Sequence, residues 1–262
     1  MPDAIRWRSY VAIGDSLTEG LQDLDAAGEP IGWADRLAQH LADRAGAPIR
    51  YANLAIRGRL LGPILAEQVE PALTLAPDLV SIWGGGNDML RPDADPDAMA
   101  AAVESAVVRF REAGADVLIG LGIDAKDSPV VRLTRNRTAI YNMLLVGVAR
   151  RHGAHVLDAW NMRSLHDWRM WYDDRIHLNA AGHARVAQGA LVGLGLTPDS
   201  PDWDAPLPPA PSMSRREELD WNLVWARDHL GPWLGRRIRR TSSGAGRSAK
   251  HPAYYEVAPS PA

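Results

Sequence analysis

The feature of this chain that most constrains its fold is an alternation between short apolar runs and longer segments with helical periodicity. Glycine or proline stands at the joints, as at Pro77, Gly114 and Gly153. Glycine commonly ends a helix and proline cannot continue one, so these residues separate each helix from the strand that follows. Repeated strand and helix units predict a parallel sheet with helices on both faces.

The short apolar runs are interpreted as strands, and the longer segments with a 3.6-residue apolar period are interpreted as helices. Strands are predicted at Ser9–Ile13, Ile49–Leu54, Asp78–Trp83, Asp116–Leu121 and His155–Leu157. Helices are predicted at Ile31–Ala45, Leu60–Leu75, Asp97–Ala113, Leu133–His152 and Ala180–Leu194. We therefore expect residues 1–196 to form a three-layer α/β/α domain on a five-stranded parallel sheet.

The composition changes after Leu196. Residues 197–213 are rich in proline and are expected to form an extended linker. Ser214 begins a capping-box pattern, and the apolar residues that follow predict a helical extension over residues 214–235 that packs on the domain. Residues 236–262 mix arginine with serine, glycine and proline, and are expected to be a disordered basic tail.

Composition excludes several classes of chemistry. The chain has no cysteine, which rules out disulfides, thiolate catalysis and cysteine-ligated metals. A net charge of −3 provides no overall positive field that would attract nucleic acid. Residues 1–10 lack the apolar centre of a secretory signal, and no segment approaches the roughly 20 apolar residues of a membrane span. We therefore expect a cytoplasmic protein with no nucleic-acid partner and no membrane span.

The first candidate catalytic motif is GDSLTEG at residues 14–20, directly after the first predicted strand. Catalytic groups collect at the carboxyl ends of strands in open α/β sheets, so Ser16 lies where a nucleophile is expected. The alternative is an ordinary turn in which Ser16 caps a helix. The motif therefore makes Ser16 a candidate that needs a partner.

The second motif places Asp174 three residues before His177. A carboxylate at this spacing can hold the Nδ1 side of the imidazole and leave Nε2 to act as a base toward a serine. The alternative is a solvated loop. His183 is a competing candidate for the base, although its position inside a predicted helix favours packing against the domain or exposure to solvent.

Two further motifs follow the second and third predicted strands. The run Gly84–Asp88 includes three glycines and Asn87, whose side-chain amide can donate to a developing oxyanion. Gly58 follows the second strand and can present its backbone N–H. Each motif taken alone is also consistent with a flexible turn.

Together these four motifs resemble the SGNH hydrolase family, which includes the GDSL-type esterases and lipases. The resemblance rests on residues 14–17, Gly58, residues 85–88 and residues 174–177, and it covers about residues 8–195. Both the order of the motifs and their placement after successive strands agree with the family pattern. The resemblance implies a flavodoxin-like strand order.

The resemblance also implies a role for each matched residue. Ser16 is expected to attack an acyl carbonyl, with His177 as its base and Asp174 as the group that orients the histidine. The backbone N–H groups of Ser16 and Gly58, with the Asn87 side chain, are expected to form the oxyanion hole.

The expected function is hydrolysis of a carboxylic ester, with a short acyl or acetyl group, through an acyl-serine. No cofactor is expected, and no spacing of histidines predicts a metal site. The expected partner is a small-molecule ester. Two alternatives stay open, namely transfer of the acyl group to an alcohol and a catalytically inactive module that recruits a partner. Several tryptophans are candidate walls of a substrate pocket, namely Trp83, Trp160, Trp168 and Trp171.

Overall fold

A computed structural model of the 262-residue chain describes residues 5–124, 126, 128, 131–210, 213–231 and 243–261. Within these residues the chain forms a six-stranded, mostly parallel sheet with helices on both faces. Across the sheet the strands lie in the order β5 (His155–Leu157), β4 (Asp116–Gly120), β3 (Leu79–Trp83), β1 (Ser9–Gly14), β2 (Ile49–Asn53) and β6 (His251–Val257). The first five strands are parallel and have the flavodoxin-like order, with β1 between β2 and β3.

The predicted bounds of the five parallel strands and of the five long helices of the domain agree with the structure to within two residues. The strands are β1 (Ser9–Gly14), β2 (Ile49–Asn53), β3 (Leu79–Trp83), β4 (Asp116–Gly120), β5 (His155–Leu157) and β6 (His251–Val257). The helices are α1 (Ser16–Glu19), α2 (Trp33–Ala45), α3 (Leu61–Thr74), α4 (Gly86–Met89), α5 (Pro96–Glu112), α6 (Arg135–His152), α7 (Ala180–Gly193) and α8 (Arg215–Trp225).

The core lies in two layers, one on each face of the sheet. Trp33 and Leu37 of α2 and Val186 of α7 are buried in one layer. The other layer contains Phe110 of α5 and Leu145 of α6. Strands β1 and β3, at the centre of the sheet, are buried along their whole length, which explains why they appear in the sequence as continuous apolar runs.

The sixth strand corrects two sequence-based expectations, the count of five strands and the disordered tail over residues 236–262. Residues 251–257 form β6, which pairs antiparallel with β2 through Ile49 and Val257. Lys250, just before β6, forms a buried ion pair with Asp35 of α2 at 2.8 Å. The segment has no long apolar run of its own, so its order depends on partners far away in the sequence. Residues 236–242 lie outside the described residues.

Helix α8 begins at a capping box in which Ser214 accepts from the Glu217 N–H and Glu217 accepts from the Ser214 N–H. A short π-helical segment, Ala226–Leu230, continues it. No residue of α8 is buried. The helix nevertheless contacts the domain, because the indole N–H of Trp225 donates to the carbonyl oxygen of Asp174 at 3.0 Å.

Candidate active site

Ser16 lies in a tight turn at the carboxyl end of β1. The Asp15 side chain caps α1 by accepting from the Leu17 N–H at 3.2 Å. A Cβ atom at Gly14 would lie 2.5 Å from the carbonyl oxygen of Trp83, so only glycine allows β1 and β3 to approach this closely at the turn. The turn places Ser16 at the sheet edge, with only 8% of the residue exposed.

The loop that carries His177 is shaped like a short hairpin between β5 and α7. Trp171 and Leu178 form an antiparallel bridge, and the Tyr172 N–H donates to the carbonyl oxygen of His177 at 2.8 Å. Asn179 caps α7 by accepting from the Gly182 N–H at 3.1 Å. These contacts define where the loop ends and bring His177 back over β1.

Ser16, His177 and Asp174 form a continuous hydrogen-bonded series. Ser16 Oγ is 2.9 Å from His177 Nε2, and His177 Nδ1 is 2.7 Å from Asp174 Oδ2. The other carboxylate oxygen, Oδ1, accepts from the N–H groups of Ile176 and His177, both at 2.9 Å. Although burial alone raises the pKa of Asp174, its hydrogen bonds with His177 and Ile176 bring the pKa below its ordinary value. An ionised Asp174 stabilises a positive charge on the imidazole.

Asn87 lies beside Ser16 at the first turn of α4. Gly85 precedes this helix with φ of +103°, and a Cβ atom there would lie 2.9 Å from Met99 Cε. The Asn87 side-chain nitrogen donates to Asp15 Oδ2 at 3.2 Å and to the carbonyl oxygen of Arg59 at 3.0 Å. The amide therefore links the turn that carries Ser16 to the loop that follows β2.

Asp15 is a buried carboxyl group next to Ser16. Burial raises the pKa of Asp15 to about 6, and its hydrogen bond from the Leu17 N–H only partly offsets that shift. Asp88, which accepts from the Leu61 N–H at 2.9 Å, likewise has its pKa raised by burial. Both carboxyl groups hold the loops around Ser16 and Asn87 in place.

Gly58 lies on the loop after β2 with φ of +70°. Its neighbour Arg57 is held by Glu19 of α1, which accepts from the Arg57 backbone N–H at 2.6 Å and pairs with its guanidinium. Ser16, Asn87 and His177 line one cavity, whereas Gly58 is not among the residues of that lining.

The cavity next to Ser16 is mainly apolar. Its apolar and aromatic walls come from the end of β3, from the segments that follow β1, β3, β4 and β5, and from α6. These residues are Leu17, Trp83, Met89, Leu90, Ile123, Val131, Tyr141, Leu165, Trp168, Trp171 and Ile176. Of the four candidate wall tryptophans, Trp160 is not in the lining; it contacts the Arg135 guanidinium instead.

An ion pair also lines the cavity. Arg135 binds Asp124 through two hydrogen bonds, of 2.7 and 3.0 Å. The sequence analysis did not identify this pair. Asp124 follows the carboxyl end of β4, so the rule that selected Ser16 and Asn87 also pointed to this loop.

His183 lies apart from the cavity, in the first turns of α7. Its Nδ1 accepts from the Trp33 N–H at 3.2 Å, and its Nε2 lies 3.3 Å from the carbonyl oxygen of Leu21. Burial lowers the pKa of His183 to about 4. The side chain therefore ties α7 to α2 and to the loop after α1.

Arg175 lies next to the candidate active site, and no role for it was predicted from the sequence. It lines the cavity, is 5% exposed and has φ of +57°. For a residue other than glycine, this left-handed conformation costs about 1–2 kcal/mol. Its guanidinium is 3.6 Å from the ring centre of Trp221 and 4.8 Å from that of Trp225. No local pattern signals this contact, because the tryptophans come from α8.

Among the residues that the structure describes, no group of three histidine, aspartate or glutamate side chains could hold a metal ion. In the same part of the chain, no helix is long and apolar enough to cross a membrane.

An α/β sheet with a serine, a histidine and a carboxylate joined at its carboxyl edge defines the class of serine hydrolases. Residues 12–185 match the GDSL-like lipase/acylhydrolase family, and the chain belongs to this family. The family assignment confirms the resemblance seen in the sequence and makes the protein an enzyme that acts on esters. No curated protein matches the chain in sequence.

Solved structures show the same fold. LAE5, described as an α/β hydrolase from the metagenome of Lake Arreo, Spain, is 23% identical with a TM-score of 0.61, over 74% of this chain and 97% of LAE5. The acetylxylan esterase Axe2 of Geobacillus stearothermophilus is 20% identical with a TM-score of 0.61, over 76% of this chain and 100% of Axe2. The esterase EstA of Pseudoalteromonas sp. is 17% identical with a TM-score of 0.57, over 72% of this chain and 97% of EstA.

Proposed function

We propose that this protein hydrolyses a carboxylic ester with a short acyl or acetyl group through a covalent acyl-serine at Ser16. The observation that carries the proposal is the unbroken series from Ser16 Oγ through His177 to Asp174, with contacts of 2.9 and 2.7 Å. Both distances are within hydrogen-bond reach, as proton transfer between nucleophile and base requires.

In the first half of the reaction, Ser16 Oγ attacks the acyl carbonyl while His177 Nε2 takes the hydroxyl proton. The carbonyl oxygen becomes an oxyanion, and the backbone N–H groups of Ser16 and Gly58 with the Asn87 amide stabilise it. When the intermediate collapses, the carbon–oxygen bond to the alcohol breaks. His177 gives its proton to the leaving alcohol, and the acyl group remains on Ser16.

In the second half, water replaces the alcohol. His177 takes a proton from the water as its oxygen attacks the acyl carbon, and the same donors stabilise the second oxyanion. Collapse breaks the bond to Ser16, which regains the proton from His177, and a carboxylic acid leaves. Asp174 holds the histidine throughout and stabilises its protonated form.

Asn87 contributes to this mechanism by turning one of its side-chain N–H groups from Asp15 to the oxyanion. Its side-chain nitrogen makes two contacts in the structure, to Asp15 at 3.2 Å and to the Arg59 carbonyl oxygen at 3.0 Å. We expect an oxyanion to replace the contact with Asp15, because at 3.2 Å it is the longer and weaker of the two hydrogen bonds. The contact with Arg59 would then keep the amide in position.

The cavity supports a small, mainly apolar acyl group. Leu17 and Ile176 flank Ser16 and His177 in its lining, and Trp168 and Trp171 extend the apolar wall. Acetyl esters are the first substrates to test, because Axe2, which shares the fold, is described as an acetylxylan esterase.

The test is to treat the purified protein with a fluorophosphonate probe and to map the labelled residue by mass spectrometry. We expect a single adduct on Ser16 in the wild type and none in Ser16→Ala. A panel of p-nitrophenyl acetate, butyrate and octanoate should show turnover that falls with chain length. An unlabelled Ser16 together with no turnover would refute the proposal, and an ester of an added alcohol among the products would identify an acyltransferase.

A further inference from the structure

The carboxy-terminal helix α8 reaches the loop that carries the catalytic histidine. This helix lies beyond residues 12–185, the part of the chain that matches the family. Its contacts with the domain nevertheless fall on Asp174 and Arg175, the first two residues of the segment that ends at His177.

The first contact is a hydrogen bond to the backbone of the catalytic carboxylate. The indole N–H of Trp225 donates to the Asp174 carbonyl oxygen at 3.0 Å. The Asp174 side chain meanwhile accepts from His177 Nδ1 and from two backbone N–H groups of its own loop. Asp174 is thus held on its side-chain face by the loop and on its backbone face by α8.

The second contact is an aromatic enclosure around Arg175. Its Nη1 donates to Asn222 Oδ1 at 2.7 Å, and the ring centres of Trp221, Trp225 and Trp168 lie 3.6, 4.8 and 6.0 Å from the guanidinium carbon. Among the described residues no carboxylate pairs with Arg175, and its Nε and Nη2 have no acceptor. The electron-rich ring faces therefore take the place of a counter-ion.

The contacts with α8 help to hold Arg175 in an unfavourable backbone conformation. Arg175 has φ of +57°, a conformation that glycine adopts far more readily. Its side chain is fastened to α8, and its backbone N–H donates to the Tyr172 carbonyl at 2.9 Å. Because α8 buries none of its own residues, its attachment to this loop is its main described contact with the domain.

We propose that Trp221, Asn222 and Trp225 are positioning residues, which hold residues 174–177 so that His177 stays aligned with Ser16. This inference rests on the proposed function of His177 as the base. It assigns a catalytic effect to a helix that lies outside the family domain. The residues of α8 act through Asp174 and Arg175 and do not touch the reacting atoms.

The test uses full-length variants that remove one contact at a time. Trp225→Phe keeps the ring and deletes the indole N–H that binds Asp174. Arg175→Ala removes the enclosed cation and keeps a side chain at positive φ, whereas Arg175→Gly removes the cation and relieves the backbone. Leu219→Ala, on the same helix at 59% exposure, is the matched control.

We expect Trp225→Phe to lower kcat about tenfold to a hundredfold, with KM changed less than about twofold, because small displacements of a base cost rate far more than binding. Arg175→Gly should melt at a higher temperature than Arg175→Ala but have the same low kcat. Arg175→Lys should recover part of the rate, since an ammonium can also lie over the indole rings. Leu219→Ala should match the wild type.

Wild-type kcat in both Trp225→Phe and Arg175→Gly would overturn the inference, as would an equal loss in Leu219→Ala. The inference would also be overturned if the fall in kcat were fully accounted for by a smaller fraction of folded protein. If the wild type turns over no ester, the low-field proton resonance of His177 Nδ1–H gives an independent measurement. A shift or broadening of that resonance in Trp225→Phe would support the inference, and an unchanged resonance would refute it.

Discussion

Two histidines six residues apart occupy opposite environments in this molecule. His177 lies on a loop at the carboxyl edge of the sheet, with Ser16 on one ring nitrogen and Asp174 on the other. His183 lies in the first turns of α7, where the Trp33 N–H donates to Nδ1 and burial lowers its pKa to about 4. The surroundings therefore decide the chemistry open to each histidine, since of these two only His177 has a serine hydroxyl on one ring nitrogen and a carboxylate on the other.

The largest expected effect on the rate is that of removing the His177 side chain. We expect His177→Ala to lower kcat about 10³–10⁶-fold, because Ser16 then has no base. Ser16→Ala should lose a similar factor, and the double variant should lose little more, since the two residues act as a unit. Steady-state kinetics with p-nitrophenyl acetate measure all three. Additive losses in the double variant would mean that the two side chains do not act together.

Substitution of Asn87 tests whether catalysis depends on a residue other than Ser16, His177 and Asp174 at the carboxyl edge of the sheet. Asn87→Ala should lower kcat about 10²–10³-fold with little change in KM, because the amide acts on charge that develops in the transition state. The measurement is the separate determination of kcat and KM. A change confined to KM would instead make Asn87 a residue that binds the ester in its ground state.

Asp15 is buried like His183, but it is adjacent to Ser16. Burial raises its pKa in the folded protein to about 6, above the ordinary value of an aspartate, so the folded protein holds this proton more tightly than the unfolded chain. The stability that this proton contributes is present below about pH 4 and is lost as the pH rises to about 6, by roughly 3 kcal/mol.

Asp15→Asn should therefore gain unfolding free energy relative to the wild type as the pH rises from 4 to 7. Urea denaturation at both pH values measures the difference, and the exposed Asp97→Asn serves as a control. An equal difference between wild type and Asp15→Asn at the two pH values would show that Asp15 does not titrate in this range.

The smallest expected effect is on His183, and it concerns stability instead of rate. His183→Ala leaves the buried Trp33 N–H without its acceptor, which should cost about 1–3 kcal/mol of unfolding free energy. The rate per folded molecule should stay near that of the wild type. Thermal denaturation and active-site titration separate the two quantities, and a fall in kcat as large as that of His177→Ala would exchange the roles of the two histidines.

The elements that depend on neighbouring residues could be predicted from the sequence alone. Short apolar runs predicted β1–β5, because most residues of these strands are buried, and helical periodicity predicted the five long helices of the domain, each of which buries one face. The strand-end rule placed Ser16 and Asn87 at one edge of the sheet, and the spacing of Asp174 and His177 predicted their hydrogen bond. The capping box at Ser214 likewise predicted where α8 begins.

Contacts that join distant parts of the chain could be seen only in the folded structure. Strand β6 pairs with β2 across about two hundred residues, and Arg175 meets Trp221 and Asn222 of α8. No local period or spacing encodes such pairs. Some polar groups cannot form their contacts within their own segment, such as the backbone groups at the outer edge of β2 and the buried guanidinium of Arg175. They find partners only when the chain has folded, and these contacts stabilise the distant pairs.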